Sequence, residues 1–335
     1  MARDYDSQLL ESVAVRRQRL REAVLFGPQR TRMRLDESIG KVVASVCLAA
    51  VACAGTVGWS FVSSQLRTQQ EAAEQAAAGP PNVTALPLPA DWVGEQVTLE
   101  MLREELDRAQ VPPDLYVLPD EPRPEADGAA SYYLLTTSDT GYSVDYSVSV
   151  IEFQQGRTGP EFVTEDEAAR WLYQELALVE TEPERLTAEE EQAAAEQNAE
   201  LAGAATERLE GGAGDSYKLT LETGQIVDAF GQESGSLLFP DGTPFERRGL
   251  PEFAREAPAA AEEGQPRPQV YHRYRVTYPF QVTAALSPAA ERSPGGGVRF
   301  AVDSGGFTQQ VPLPSIRWLL GNGYLERVAV TSVPE

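Results

Sequence analysis

His272 is the only histidine in the 335 residues, and Cys47 and Cys53 are the only cysteines. One histidine and two cysteines exclude an ordinary Cys/His zinc centre and a disulfide-stapled scaffold. Tyr271-His272-Arg273-Tyr274-Arg275-Val276 alternates as a strand does. His272 then shares a face with Tyr274 and Val276, and Tyr271, Arg273 and Arg275 take the other. A histidine so placed serves either packing or chemistry, and the residues alone leave both open. Arg247, Arg248 and Arg299 carry guanidinium groups suited to phosphate, or to surface ion pairs with an acidic chain. Pro294-Gly295-Gly296-Gly297 either brings backbone N–H groups close to a pyrophosphate or forms a glycine-rich hairpin turn.

These residues fall in residues 215–335, a stretch of short β-like runs punctuated by Gly and Pro. Tyr217–Leu221, Val270–Val276, Phe280–Ala284 and Val298–Val302 read as strands, and Leu313–Tyr324 as a short helix ending at Gly321–Gly323. Residues 181–214 are dominated by Ala and Glu and read as a helical, solvated spacer, with no catalytic carboxylate dyad in Glu184–Glu210. Residues 91–180 read as a small α+β module. Thr98 caps a first helix that Pro112-Pro113 ends, Ser131–Leu135 and Tyr142–Phe153 are strand-like, and Thr164-Glu-Asp-Glu opens a helix with Ala168, Trp171, Leu172 and Leu176 on its apolar face.

Toward the N-terminus the pattern is that of a membrane anchor. Residues 42–62 are uncharged and apolar over about 20 residues, the length that crosses ~30 Å of hydrocarbon. Residues 1–41 hold nine basic and six acidic residues, +3 in all, which leaves −26 of the net −23 to the rest of the chain. The basic excess before the span predicts a single-pass topology at the cell membrane, with residues 1–41 cytoplasmic and the rest outside. Residues 63–90 read as a spacer containing the sequon Asn82-Val83-Thr84. Cys47 and Cys53 lie about 240° apart around the helix and cannot pair with each other. The strong acidity of the outer part is the wrong sign for nucleic acid.

Six motifs recur in one order in the last third. They are Asp228-Ala-Phe-Gly231, Gly235-Ser-Leu-Leu238, Gly242-Thr-Pro-Phe-Glu-Arg-Arg-Gly-Leu-Pro251, Tyr271-His-Arg-Tyr-Arg-Val276, Pro294-Gly-Gly-Gly-Val-Arg-Phe300 and Trp318-Leu-Leu-Gly-Asn-Gly-Tyr-Leu325. This series resembles the tuberculosis-necrotizing-toxin (TNT) domain, a family of secreted NAD+ glycohydrolases. Residues 91–180, through EFVTEDEAARWLYQEL, loosely resemble a small accessory module of actinobacterial toxin and immunity proteins. The resemblance implies cleavage of the nicotinamide N-glycosidic bond of NAD+ or NADP+ without metal or other cofactor. It also implies an envelope or immunity protein as partner. It assigns catalysis to His272 and to the position of Arg299. Dinucleotide contact falls to Ala229, Phe230, Gly231, Leu237, Arg247, Gly295, Gly296 and Gly297. Three of the family's four key positions are altered: Ala229 stands for an arginine, Leu237 for a tyrosine and Arg299 for a glutamine. The expected protein is α+β, a membrane-anchored NAD+ glycohydrolase weakened at its pocket; the alternative is a catalytically degenerate dinucleotide- or protein-binding module.

Overall fold

The computed structural model describes residues 80, 83–125, 127–139, 143–212, 214–256, 269–290, 292–307 and 311–334. The segments 1–41 and 42–62, and all but the end of 63–90, lie outside the described residues. Among those described, no helix is long and apolar enough to cross a membrane. The described residues belong to one compact unit that begins at Ala72.

Two sheets carry the fold. The first is four-stranded, in the order β1 (Tyr116–Val117), β2 (Ser131–Asp139), β3 (Val144–Glu152), β4 (Gln155–Phe162). Two helices cover it. In α1 (Leu99–Arg108), Thr98 caps the start by accepting from the Met101 N–H, and Leu102 and Leu106, one turn apart, are fully buried. In α2 (Glu165–Leu176), Thr164 accepts from Glu167, and the acidic first turn also reaches across to α1. Asp166 and Glu165 accept from the backbone N–H groups of Val97 and Leu99 at 2.7 and 2.6 Å, so one helix start caps the entry to the other. Ala168, Leu172 and Leu176 face the core as the spacing requires, while Trp171 is half-buried and packs edge-on to Tyr133.

A third helix, α3 (Ala188–Glu210), occupies most of the Ala/Glu-rich stretch behind a capping box made by Thr187 and Glu190. It is not a free spacer. Ala194, Asn198, Ala205 and Leu209 form a narrow buried stripe of mostly small residues, too sparse to register as an apolar face in the sequence. Glu191 on α3 pairs with Arg273 at 2.8 Å.

The second sheet runs β11 (Leu325–Val328), β8 (Tyr271–Val276), β6 (Ile226–Phe230), β7 (Leu237–Pro240), β10 (Val298–Ala301), β9 (Phe280–Leu286), β5 (Ser216–Leu221). Every neighbouring pair in it is antiparallel. One face buries Val227, Ala229, Leu238, Tyr274, Val298 and Phe300 against α4 (Ile316–Gly321), whose start Ser315 caps through the Trp318 N–H. The opposite face holds Phe230, Phe239, Phe245 and Tyr271.

The halves interlock. Leu313, just before α4, completes the core of the first sheet among Tyr133, Val148, Leu172 and their neighbours. The Tyr133 hydroxyl donates to Ser315 Oγ at 2.8 Å and lies 3.5 Å from the buried Glu175 carboxylate.

Candidate functional site

The loop between β6 and β7, Gly231–Leu237, is built against the first sheet. Gly231 has φ of +101°, and a Cβ there would lie 2.6 Å from the Ala130 side chain, so only glycine fits. The Gln232 amide oxygen accepts from the Ala130 and Ser131 N–H groups at 2.9 and 3.0 Å. Its nitrogen therefore faces the other way and donates to Asp114 Oδ2 at 3.3 Å. Farther along, the buried Glu152 carboxylate accepts from Ser236 N and Oγ, both at 2.7 Å, and from Leu237 N at 3.2 Å.

Fixed in this way, the loop directs Glu233 inward to a charge network. Arg327 of β11 grips it with two hydrogen bonds of 2.7 and 2.6 Å, and Arg317 of α4 donates to it at 3.1 Å. Both arginines also pair with Glu180 at 2.8 Å. Burial opposes ionisation of Glu233, but the Arg327 charge and hydrogen bonds outweigh it and hold the carboxyl at about 2. Glu233 is thus a permanent anion committed to its arginines.

Beside this network opens a cleft of about 370 Å³, lined by His272, Asp114, Gln232, Glu233, Arg317 and Arg327 among others. That size lies within the usual range for small-molecule sites, ~300–1,000 Å³. Burial pushes the His272 imidazole below its ordinary value; the Glu233 charge pulls it up and Arg327 pushes it down. At pH 7 the ring is therefore neutral, able to accept a proton. Asp114 moves upward, chiefly through burial, with the Gln232 hydrogen bond opposing.

Apart from His272, the residues singled out from the sequence do not assemble around this cleft. Ala229 pairs directly with His272 across the sheet and shares its face, but it is buried in the core. Register carries this face on to Leu238 and Phe300. Arg299, one residue away from Phe300, therefore points to the opposite face of the sheet from His272, as do Leu237 and Phe230. Arg299 forms no ion pair among the described residues. Arg247 is exposed and, with Gly297, borders a separate groove against α3. The glycine triplet is a turn: the N–H groups of Gly295, Gly296 and Gly297 donate to the carbonyls of Glu246, Ser287 and Arg247. A Cβ at Gly295 or Gly297 would strike backbone oxygen at 2.4 or 2.7 Å, so these glycines answer close packing and offer no amide cradle. Arg248 is fully buried on Asp228 and serves the core.

The other polar groups lining the cleft were not singled out from sequence: Asp114, Gln232, Glu233, Arg317, Arg327 and Glu180. Two carried a signal. Arg317 interrupts the apolar run Ile316–Leu320, and a guanidinium buried there requires an anion. Glu233 sits between motifs, in a loop rich in Gly and Ser.

Residues 220–328, from the end of β5 to the end of β11, match the family model described as Tuberculosis necrotizing toxin. Among solved structures the chain is similar to Rhs1-CT in complex with its cognate immunity protein RhsI1, at 13% identity over 34% of this chain and 78% of that one, with a TM-score of 0.22. It is also similar to Tse6 in complex with Tsi6, at 20% identity over 29% of this chain and 72% of that one, TM-score 0.21. No curated protein matches it.

Proposed function

We propose that this chain carries a TNT-type domain directed at NAD+ or NADP+, which hydrolyses the nicotinamide N-glycosidic bond slowly in the cleft around His272. One observation carries the reading: inside the segment matched to the family, the histidine that the resemblance singles out is also the one that lines a polar, half-enclosed cleft. Departure of nicotinamide breaks the bond at the ribose anomeric carbon and leaves positive charge on the ring. The carboxylate of Asp114 supplies opposing charge there. Neutral His272 accepts the proton of the water that adds to the same carbon, and releases it to solvent. Ala229, paired with His272 across the sheet, offers no side-chain donor where the family has an arginine, and the loss of one such group typically costs ~10²–10³ in rate. Slow turnover follows.

The uncharged segment 42–62 supports a single-pass anchor that places this domain outside the cytoplasm, where an envelope or immunity-type protein is the partner class that suits it. Ala229 also favours a second reading, a silent module that binds the dinucleotide or a protein partner. Incubation of the full chain with NAD+ or NADP+ and chromatography of released nicotinamide separates the two. Slow release abolished by His272→Ala and unchanged by Arg299→Gln is expected. Binding without release supports the second reading. Release indifferent to His272→Ala overturns the cleft as the reaction site.

A further inference from the structure

The cleft contains one charge that no counter-ion answers. Glu233 and Glu180 are matched by Arg317 and Arg327. Arg273, also on the wall, is matched by Glu191 and Asp241. Asp114 has no ion-pair partner among the described residues; its side chain accepts from the Gln232 amide and from its own backbone N–H. It is placed firmly all the same. The 3-10 turn Pro113–Leu115 carries it into the cleft, with Leu115 anchored in the core of the first sheet and Pro112 and Pro113 restricting the backbone. Gln232 cannot rotate to offer its oxygen instead, because that oxygen holds two backbone N–H groups. A donor is also uncommitted: Arg317 is 1% exposed and its Nη2 has no hydrogen-bond partner among the described residues. Burial pushes the Asp114 carboxyl upward, as expected of an anion short of counter-charge.

A half-buried carboxylate with a neutral imidazole as neighbour favours a cation over a phosphate. Resting on the dinucleotide reading above, we infer that Asp114, supplied by the segment that precedes the family-matched region, makes this cleft select the cationic pyridinium riboside end of an oxidised nicotinamide nucleotide. The neutral ring of the reduced form is discriminated against, and the pyrophosphate lies outside. Asp114 is a specificity residue in this assignment.

NAD+ and NADH carry the same phosphates and differ in ring charge, so the pair tests the assignment. Calorimetric titration of the full chain should give NAD+ an affinity about tenfold above that of NADH. Asp114→Asn should bring NAD+ down to the NADH level and leave NADH unchanged, while Asp114→Glu should keep most of the difference. Matching melting curves confirm that the isosteric variant is folded. Equal affinities in the unaltered chain, or an equal loss for both nucleotides in Asp114→Asn, overturn the assignment and leave the dinucleotide reading standing. Affinity for neither nucleotide overturns both.

Discussion

Glu175 on α2 is 9% exposed, and its one hydrogen-bond partner among the described residues is the Tyr133 hydroxyl, at 3.5 Å. Burial, against that weak hydrogen bond, raises its carboxyl to about 8 from an ordinary value of 4.5. The folded chain thus holds a proton that the unfolded chain has released, and this stabilisation is complete below about pH 4.5 and lost as pH rises through about 8. On the order of 2–4 kcal/mol is at stake over that window. Glu175→Gln should flatten the fall of the melting temperature between pH 5 and 8; an unchanged slope would show that the carboxyl ionises freely. Nothing in the sequence marks Glu175, which sits among exposed-looking acids in a helix. His272 was legible because it is unique, and its strand partners were legible from alternation. Asp114 and Glu233 were not, since a carboxylate in a chain of 51 acidic residues carries no signal until burial singles it out.

The β3–β4 turn matters for the loop it clamps. Glu152, at the end of β3, is 8% exposed and satisfies two backbone N–H groups and a hydroxyl of Ser236–Leu237. Glu152→Ala would leave those donors buried without acceptors, at about 1–3 kcal/mol for the pair of amides. Denaturant midpoints should fall accordingly, with a smaller fall for Glu152→Gln, which keeps one oxygen. An undiminished midpoint would mean that Gln232 alone holds the loop. Among the strands, β3 and β9 were readable because one face of each is more buried than the other, and β8 because its residue types alternate. Every residue of β6 is buried, so it shows no alternation, and β7 ends in Pro240. Both escaped notice for those reasons, and with them the register that turns Arg299 away from His272.

At the scale of the molecule, the sequence marks a break at Gly211–Gly214 and suggests a unit that folds alone from Asp215. The contacts across that break add a cost that composition does not display. A fragment from Asp215 loses Glu152 from its loop, Glu180 from Arg317 and Arg327, and the cover on Leu313 and Ser315. It should unfold at lower denaturant than the full chain, and co-expression of residues 83–180 should restore it. A fragment as stable as the whole chain would show that these contacts contribute little. The same interlocking has a consequence in time. Leu313 fills a place in the core of the first sheet, yet it is synthesised long after the strands and helices of that sheet. While the chain emerges, the first sheet and its two helices form around an unfilled hole, and leaving a leucine out of a core typically costs about 2–5 kcal/mol. Domains made early usually fold early; here the first sheet must wait for Leu313 before its core can close.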